Sequence, residues 1–195
     1  MGVNVKCIIQ KARMAELAYA TALEPVQLKV RIFLWAQTFK KNKTMVYKKL
    51  YSAEEVDLDD YIKEYMNVNE NVDILIGCDS QNIGANTIYA IVVALYREGK
   101  GAHVLYRRWK TEKERVRSIR LLQEVWYAIE TAEALGEAGI PKPKWIDIDL
   151  NPDPRYKSNE VFRQAVGMVE GMGYKVRYKT LGPIATYAAD HLVKG

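Results

Sequence analysis

Ile74-Leu75-Ile76-Gly77-Cys78-Asp79-Ser80-Gln81 is a short apolar run that stops abruptly at one carboxylate. Runs of this length, rich in β-branched residues and closed by polar turn formers, read as buried strands. With a period of two, Leu75, Gly77 and Asp79 share one face, and Ile74, Ile76 and Cys78 share the other. An Asp at the last rung of such a strand is aimed by a rigid backbone into a cleft at the sheet edge. The plainer alternative is that Asp79 and Ser80 only begin a turn. The choice between them rests on the segments downstream.

Those segments alternate in period. Residues 86–97 form a long β-branched and aromatic run, Glu98-Gly99-Lys100-Gly101 reads as a hairpin loop, and 102–109 as the returning strand. From Thr111 to about Ala138 the period becomes helical, with Leu121, Leu122, Val125, Ala128, Ile129 and Ala132 on one arc. Residues 144–150 are a fourth strand, 158–172 a helix, 174–179 a fifth strand, and Pro183 opens a last helix. The order is β-β-β-α-β-α-β-α. It predicts a mixed five-stranded α/β sheet, three strands antiparallel and two parallel, with helices on both faces. Upstream of the first strand, Ser52-Ala53-Glu54-Glu55 matches a capping box and predicts a helix running to Met66.

Charge divides the chain differently. The net charge is +5, yet residues 1–44 carry eight Lys or Arg against Glu16 and Glu24, leaving 21 basic and 22 acidic residues for the rest. Residues 1–44 therefore read as a basic helical extension, with helices at 5–23 and 26–41, and 45–195 as the main domain. Within the domain, Arg97 to Arg120 holds nine basic residues against three acidic ones. Such clustering is either a polyanion footprint or a solvated face. Arg107, Arg108 and Lys110, and Lys179 before the last helix, are the expected nucleic-acid contacts. The only cysteines, Cys7 and Cys78, lie far apart without metal-ligand spacing, which excludes a disulfide-built domain and points to the cytoplasm. No run approaches the ~20 apolar residues of a membrane helix. The N-terminus is too charged, at Lys6, Lys11, Arg13 and Glu16, for a signal peptide.

The element order resembles that of the ribonuclease H-like superfold, whose sites are clusters of carboxylates on the first strand, the first long helix, the end of the fourth strand and a late helix. Asp79, Glu124, Asp149 and Asp190 stand at those four stations. The residue type suits the chemistry. Two Mg²⁺ or Mn²⁺ ions ~3.5–4 Å apart activate a water and stabilise the leaving oxygen in phosphodiester cleavage. Such hard cations prefer oxygen ligands. Each station has a rival reading. Glu124 falls at the edge of the apolar arc, while Glu133 points into it and competes for the role. Asp147 and Asp149 share a strand face, so one is the ligand and the other a partner or surface charge; Asp149 is favoured because it stands nearer the strand end. Asp190 is otherwise a surface charge one turn from Lys194. Ser80 and Gln81 either hold metal-bound waters or close the strand, and His191 is read as a surface residue.

Gly77-Cys78-Asp79-Ser80-Gln81, Gly99-Lys100-Gly101-Ala102, Glu124-Val125-Trp126, Asp149-Leu150-Asn151, Gly171-Met172-Gly173-Tyr174 and Ala188-Ala189-Asp190, in that order, resemble the YkuK-like family of bacterial and phage proteins, over about residues 47–194. That family is assigned to the ribonuclease H-like superfold. The resemblance implies a catalytic and metal-binding role for Asp79, Asp149 and Asp190, and for Glu124. It implies a Mg²⁺- or Mn²⁺-dependent nuclease, with a non-catalytic nucleic-acid or protein binding module on the same fold as the alternative. The chain departs from the family at Asp147, where a His often stands, and in residues 1–44. These 44 residues are expected to dock on a protein or nucleic-acid partner, or to extend a protein otherwise starting at Met45.

Overall fold

The computed structural model describes residues 46–194. The helices predicted at 5–23 and 26–41, and the boundary near residue 44, lie outside the described residues. The described chain folds as β1 (Val46–Lys49), β2 (Glu55–Asp57), α1 (Leu58–Val68), β3 (Asp73–Ile83), β4 (Asn86–Arg97), β5 (Gly101–Glu112), α2 (Arg117–Glu137), β6 (Trp145–Ile148), α3 (Phe162–Gly171), β7 (Val176–Tyr178) and α4 (Ile184–Lys194). Short 3₁₀ turns precede α3 at Lys157–Val161 and α4 at Lys179–Leu181. The seven strands form one sheet in the order β2-β1-β5-β4-β3-β6-β7. From β3 onward the predicted alternation of strands and helices is present, with β3, β4 and β5 antiparallel and β6 and β7 parallel.

Two strands more than the expected five extend the β5 edge. The Ser52–Glu55 segment does not cap a helix; it closes a β1–β2 hairpin. The Lys49 amide donates to the Glu54 carbonyl at 3.0 Å, Ala53 adopts a left-handed φ of 55°, and Glu55 pairs with Lys48. The cap comes five residues after Ser52, at Asp57, whose Oδ1 accepts from the amides of Asp59 and Asp60 at 3.0 Å each. A carboxylate serving two amides at a helix N-terminus outdoes a serine hydroxyl at the same task. Fully buried Tyr47 anchors the hairpin to the core.

The β5 strand also overruns its predicted end. It stays paired with β4 as far as Asn86↔Glu112, and Thr87 Oγ1 then accepts from the Glu114 amide at 2.8 Å, so the helix begins at Arg117 and not Thr111. In the same way β3 passes Asp79 and runs to Ile83, where Gly84, at φ 57°, turns the hairpin. Asp79 is thus opposite Ala90 in mid-ladder, not on the last rung. It nevertheless stands beyond the parallel pairing with β6, which ends at Gly77↔Asp147. The chain leaves β6 after Ile148 for a loop containing Pro152 and Pro154, and the sheet is open on that side of Asp79.

The two faces are covered unequally. On one, Ile76, Cys78, Ile91 and Val93 are buried together with Leu122, Val125 and Ile129 of α2. On the other, Leu75, Ala90, Val92 and Ala94 meet Ala185, Ala189 and Val193 of α4. Small side chains on both sides let α4 lie close, and the approach is tightest at Gly77. A Cβ there would stand 2.8 Å from the Thr186 amide nitrogen and 3.0 Å from the Ala185 Cβ. The glycine is required by that contact rather than by its backbone angles.

Candidate carboxylate site

Four acidic side chains lie within electrostatic reach of one another near the free end of β6, on both faces of β3. Asp79 lies on the α4 face, and Asp190 extends from α4. Asp149 follows β6, and Glu124 reaches from α2 to the other side of β3. The carboxyl of Asp79 is pushed up to about 7, chiefly by burial, with the charges of Asp149 and Asp190 adding; the Ser80 amide and Arg120 work against the shift. No described Lys or Arg forms an ion pair with Asp79, so it is a partly buried acid without a neutralising partner. Lys194 bonds Asp190 at 2.5 Å, and its ammonium is also held in the charged form by Asp79 and Asp149. Lys179 lies 3.1 Å from Asp149 Oδ1. The three aspartates therefore share one electrostatic neighbourhood rimmed by two lysines.

Glu124 is bound differently. It is 4% exposed and accepts from the Ser80 hydroxyl, while Arg120 Nη1 donates to Glu124 Oε1 at 3.0 Å and to both the carbonyl and the hydroxyl of Ser80 at 2.5 Å. Burial and the Asp79 charge hold its carboxyl well above the usual range and outweigh the opposing pull of Ser80 and Arg120. The arrangement clamps β3 at the residue after Asp79 from the opposite face. Ser80 thus neither closes the strand nor faces Asp190. Arg120 had been one of many charges in a basic run; its i,i+4 spacing from Glu124 was the available signal.

The rival acids are committed elsewhere. Asp147, 1% exposed, accepts from Arg177 Nε and Nη2 at 2.8 Å each and from the Ala185 amide at 2.7 Å. It ties β6, β7 and the start of α4 together, with its charge set against a helix N-terminus. Nothing in the local sequence marked Arg177 as its partner; parallel pairing of Asp147 with Arg177 brings them together. Glu133 accepts from the Tyr174 hydroxyl at 2.5 Å. His191 is exposed.

The expected nucleic-acid contacts separate. Lys179 stands at the aspartates. Arg107 lies on the α2 face, its guanidinium 5.0 Å from the Trp109 ring centroid and 6.0 Å from that of Tyr47. Arg108 and Lys110 lie on the α4 face with Asp79.

A family model described as ribonuclease H-like matches residues 56–194. The chain belongs to the ribonuclease H-like family. This membership agrees with the observed order of elements, although the sheet carries seven strands. No curated protein and no solved structure matches the chain. Among the described residues no helix is long and apolar enough to cross a membrane.

Ribonuclease H-like sites imply a divalent cation, and the donor set suits one in chemistry. Three aspartates supply hard oxygen ligands, and Asp79 is partly buried without an ion-pair partner among the described residues. In their described positions, no three His, Cys, Asp or Glu side chains are grouped as the ligands of one ion. Lys179 and Lys194 hold Asp149 and Asp190 instead.

Proposed function

We propose that the protein is a metal-dependent nuclease that hydrolyses phosphodiester bonds in RNA, RNA/DNA hybrid or DNA. The observation that carries this reading is Asp79, a partly buried carboxylate without an ion-pair partner among the described residues, on an inner strand of a ribonuclease H-like sheet and within electrostatic reach of Asp149 and Asp190. Asp79, Asp149 and Asp190 would hold Mg²⁺ or Mn²⁺, two ions in the full site, with Glu124 reaching the site from the opposite face. Bound ions would activate a water and stabilise the leaving oxygen. The chain's own contribution is placement. The β3 ladder fixes the Asp79 backbone, and Arg120 and Glu124 clamp the next residue. Asp147 fixes the start of the helix that carries Asp190. Lys179 and Lys194 balance acids that would otherwise repel a phosphate.

A binding module on the same fold is the second reading. It is favoured by the two lysines paired with Asp149 and Asp190 and by the absence of a three-ligand group among the described residues. The 195-residue protein incubated with end-labelled single-stranded RNA, single-stranded DNA, hybrid and duplex, with Mg²⁺, Mn²⁺ or EDTA, decides between them. The nuclease reading expects metal-dependent cleavage of at least one substrate, lost in Asp79→Asn and Asp149→Asn. Binding without cleavage of any substrate under either metal establishes the module.

A further inference from the structure

The alternation of β5 sorts its basic residues. Arg107 turns to the α2 face and is spent on Tyr47 and Trp109. Arg108 and Lys110 turn to the other face, where the register sets Asp79 opposite Ala90 opposite Arg108, and Gln81 opposite Ile88 opposite Lys110. The α4 helix packs over Ala90, Val92 and Ala94. Arg108 and Lys110 remain exposed, and neither forms an ion pair with a described carboxylate. Other basic side chains around the site are paired: Arg120 with Glu124, Arg177 with Asp147, Lys179 with Asp149, and Lys194 with Asp190. Beyond the Asp79 row, Ile83 is 46% exposed on the same face. Asp79 and the two unpaired cations thus share one face of the sheet, separated by Ala90 and Ile88 beneath α4, with exposed Glu112 next along β5 beyond Lys110.

We propose that Arg108 and Lys110 are a two-phosphate grip that holds one strand of a nucleic acid while a neighbouring phosphodiester lies at Asp79. The inference rests on the nucleic-acid reading above and adds the residues and direction of approach. The Cα atoms of Arg108 and Lys110 are about 7 Å apart along the strand, and Arg108 stands about 10 Å from Asp79 across two strand spacings. Regularly spaced point charges suit a polymer with a charge on every unit. The guanidinium can fork onto one phosphate while the ammonium meets the next. Residues 1–44 are an unsuitable occupant, since eight basic residues against two acidic ones would be repelled by the grip.

The test is fluorescence anisotropy of the 195-residue protein with labelled oligo(dT), oligo(U) and a DNA duplex, in EDTA, over a series of NaCl concentrations. R108Q/K110Q should weaken single-strand binding about tenfold at moderate salt and flatten the log–log salt slope by about 1.4, at about 0.7 per phosphate contact released. R107Q should keep the wild-type slope, and so should R108K/K110R. If the double variant melts early, single R108Q and K110Q variants should each flatten the slope by about 0.7. An unchanged slope in R108Q/K110Q, an equal flattening in R107Q, or no wild-type binding to any probe overturns the grip. Lack of cleavage under metal, with these slope changes intact, overturns the hydrolytic reading alone.

Discussion

Asp79→Asn should make the metal-free protein more stable, by an amount that depends on pH. The Asp79 carboxyl moves from 3.8 to about 7 on folding. Folding therefore favours its protonated form. The associated stability is fully present below the unfolded value and is lost as pH rises through the folded one. About three pH units at 1.36 kcal/mol each set an upper bound of about 4 kcal/mol on the penalty above pH 7. Asparagine is the same shape, can still accept from the Ser80 amide and has no charge to bury. In EDTA at pH 8 the variant should gain about 1–4 kcal/mol, or about 3–12 °C in melting temperature for a domain of this size. Near pH 4 the two proteins should melt together. Added Mg²⁺ should raise the wild-type melting temperature and leave that of the variant nearly unchanged. Thermal melting followed by circular dichroism from pH 4 to 8.5 measures all three effects. A variant that melts below wild type at pH 8 without metal, or a gap that does not vary with pH, would make Asp79 a structural residue and remove the main support for the site.

The other expectations concern the scaffold. Asp147→Asn should behave oppositely to Asp79→Asn, losing about 3–5 kcal/mol with or without metal because Arg177 is left buried against a neutral group; urea melts compare the two variants directly. Gly77→Ala should cost about 1–3 kcal/mol by forcing α4 off the sheet at Thr186, and amide exchange should speed up in α4 before any other helix. Arg120→Ala should cost about 3 kcal/mol by leaving buried Glu124 without its counter-charge, and adding Glu124→Gln should recover most of that loss in the same melt.

The parts legible in the sequence were those fixed by local pattern. The apolar run at 74–78, the β-branched run at 86–97 and the apolar arc of α2 each followed from one dominant period. The β1–β2 hairpin was missed because the signal at Ser52–Glu55 is a true capping pattern, overridden by a better cap at Asp57 and by pairing of β1 with β5. The overrun of β5 to Glu112 was missed for a related reason: Lys110 and Glu112, on either side of Thr111, disfavour strands, and their strand state comes from their partners on β4. The pairings of Asp147 with Arg177 and of Ser80 with Glu124 join residues 30 and 44 positions apart. No window of sequence contains both members of either pair.

The same distinction explains why Asp147 and Asp149, two residues apart, hold such different positions. On an intact strand both would face α4. Asp147 lies where β6 is still paired on both sides, with β3 at Gly77 and with β7 at Arg177. A carboxylate so enclosed must be neutralised by what surrounds it, and Arg177 and the Ala185 amide complete its hydrogen bonding. Asp149 lies one residue past the last strand position, where the ladder has ended, and only Lys179, itself half-exposed, is paired with it. Its side chain is partly exposed, yet Oδ1 is buried without a hydrogen bond, which leaves that oxygen open to a new partner. Asp79 combines the two situations: its backbone is fixed in the central ladder, but its neighbour on the β6 side has left the sheet. A ligand approaching the domain would find the fixed carboxylate of Asp79 and the exchangeable one of Asp149 on one side of that opening. Substitutions at Asp147 therefore report on the scaffold, and those at Asp79 and Asp149 report on what the opening binds.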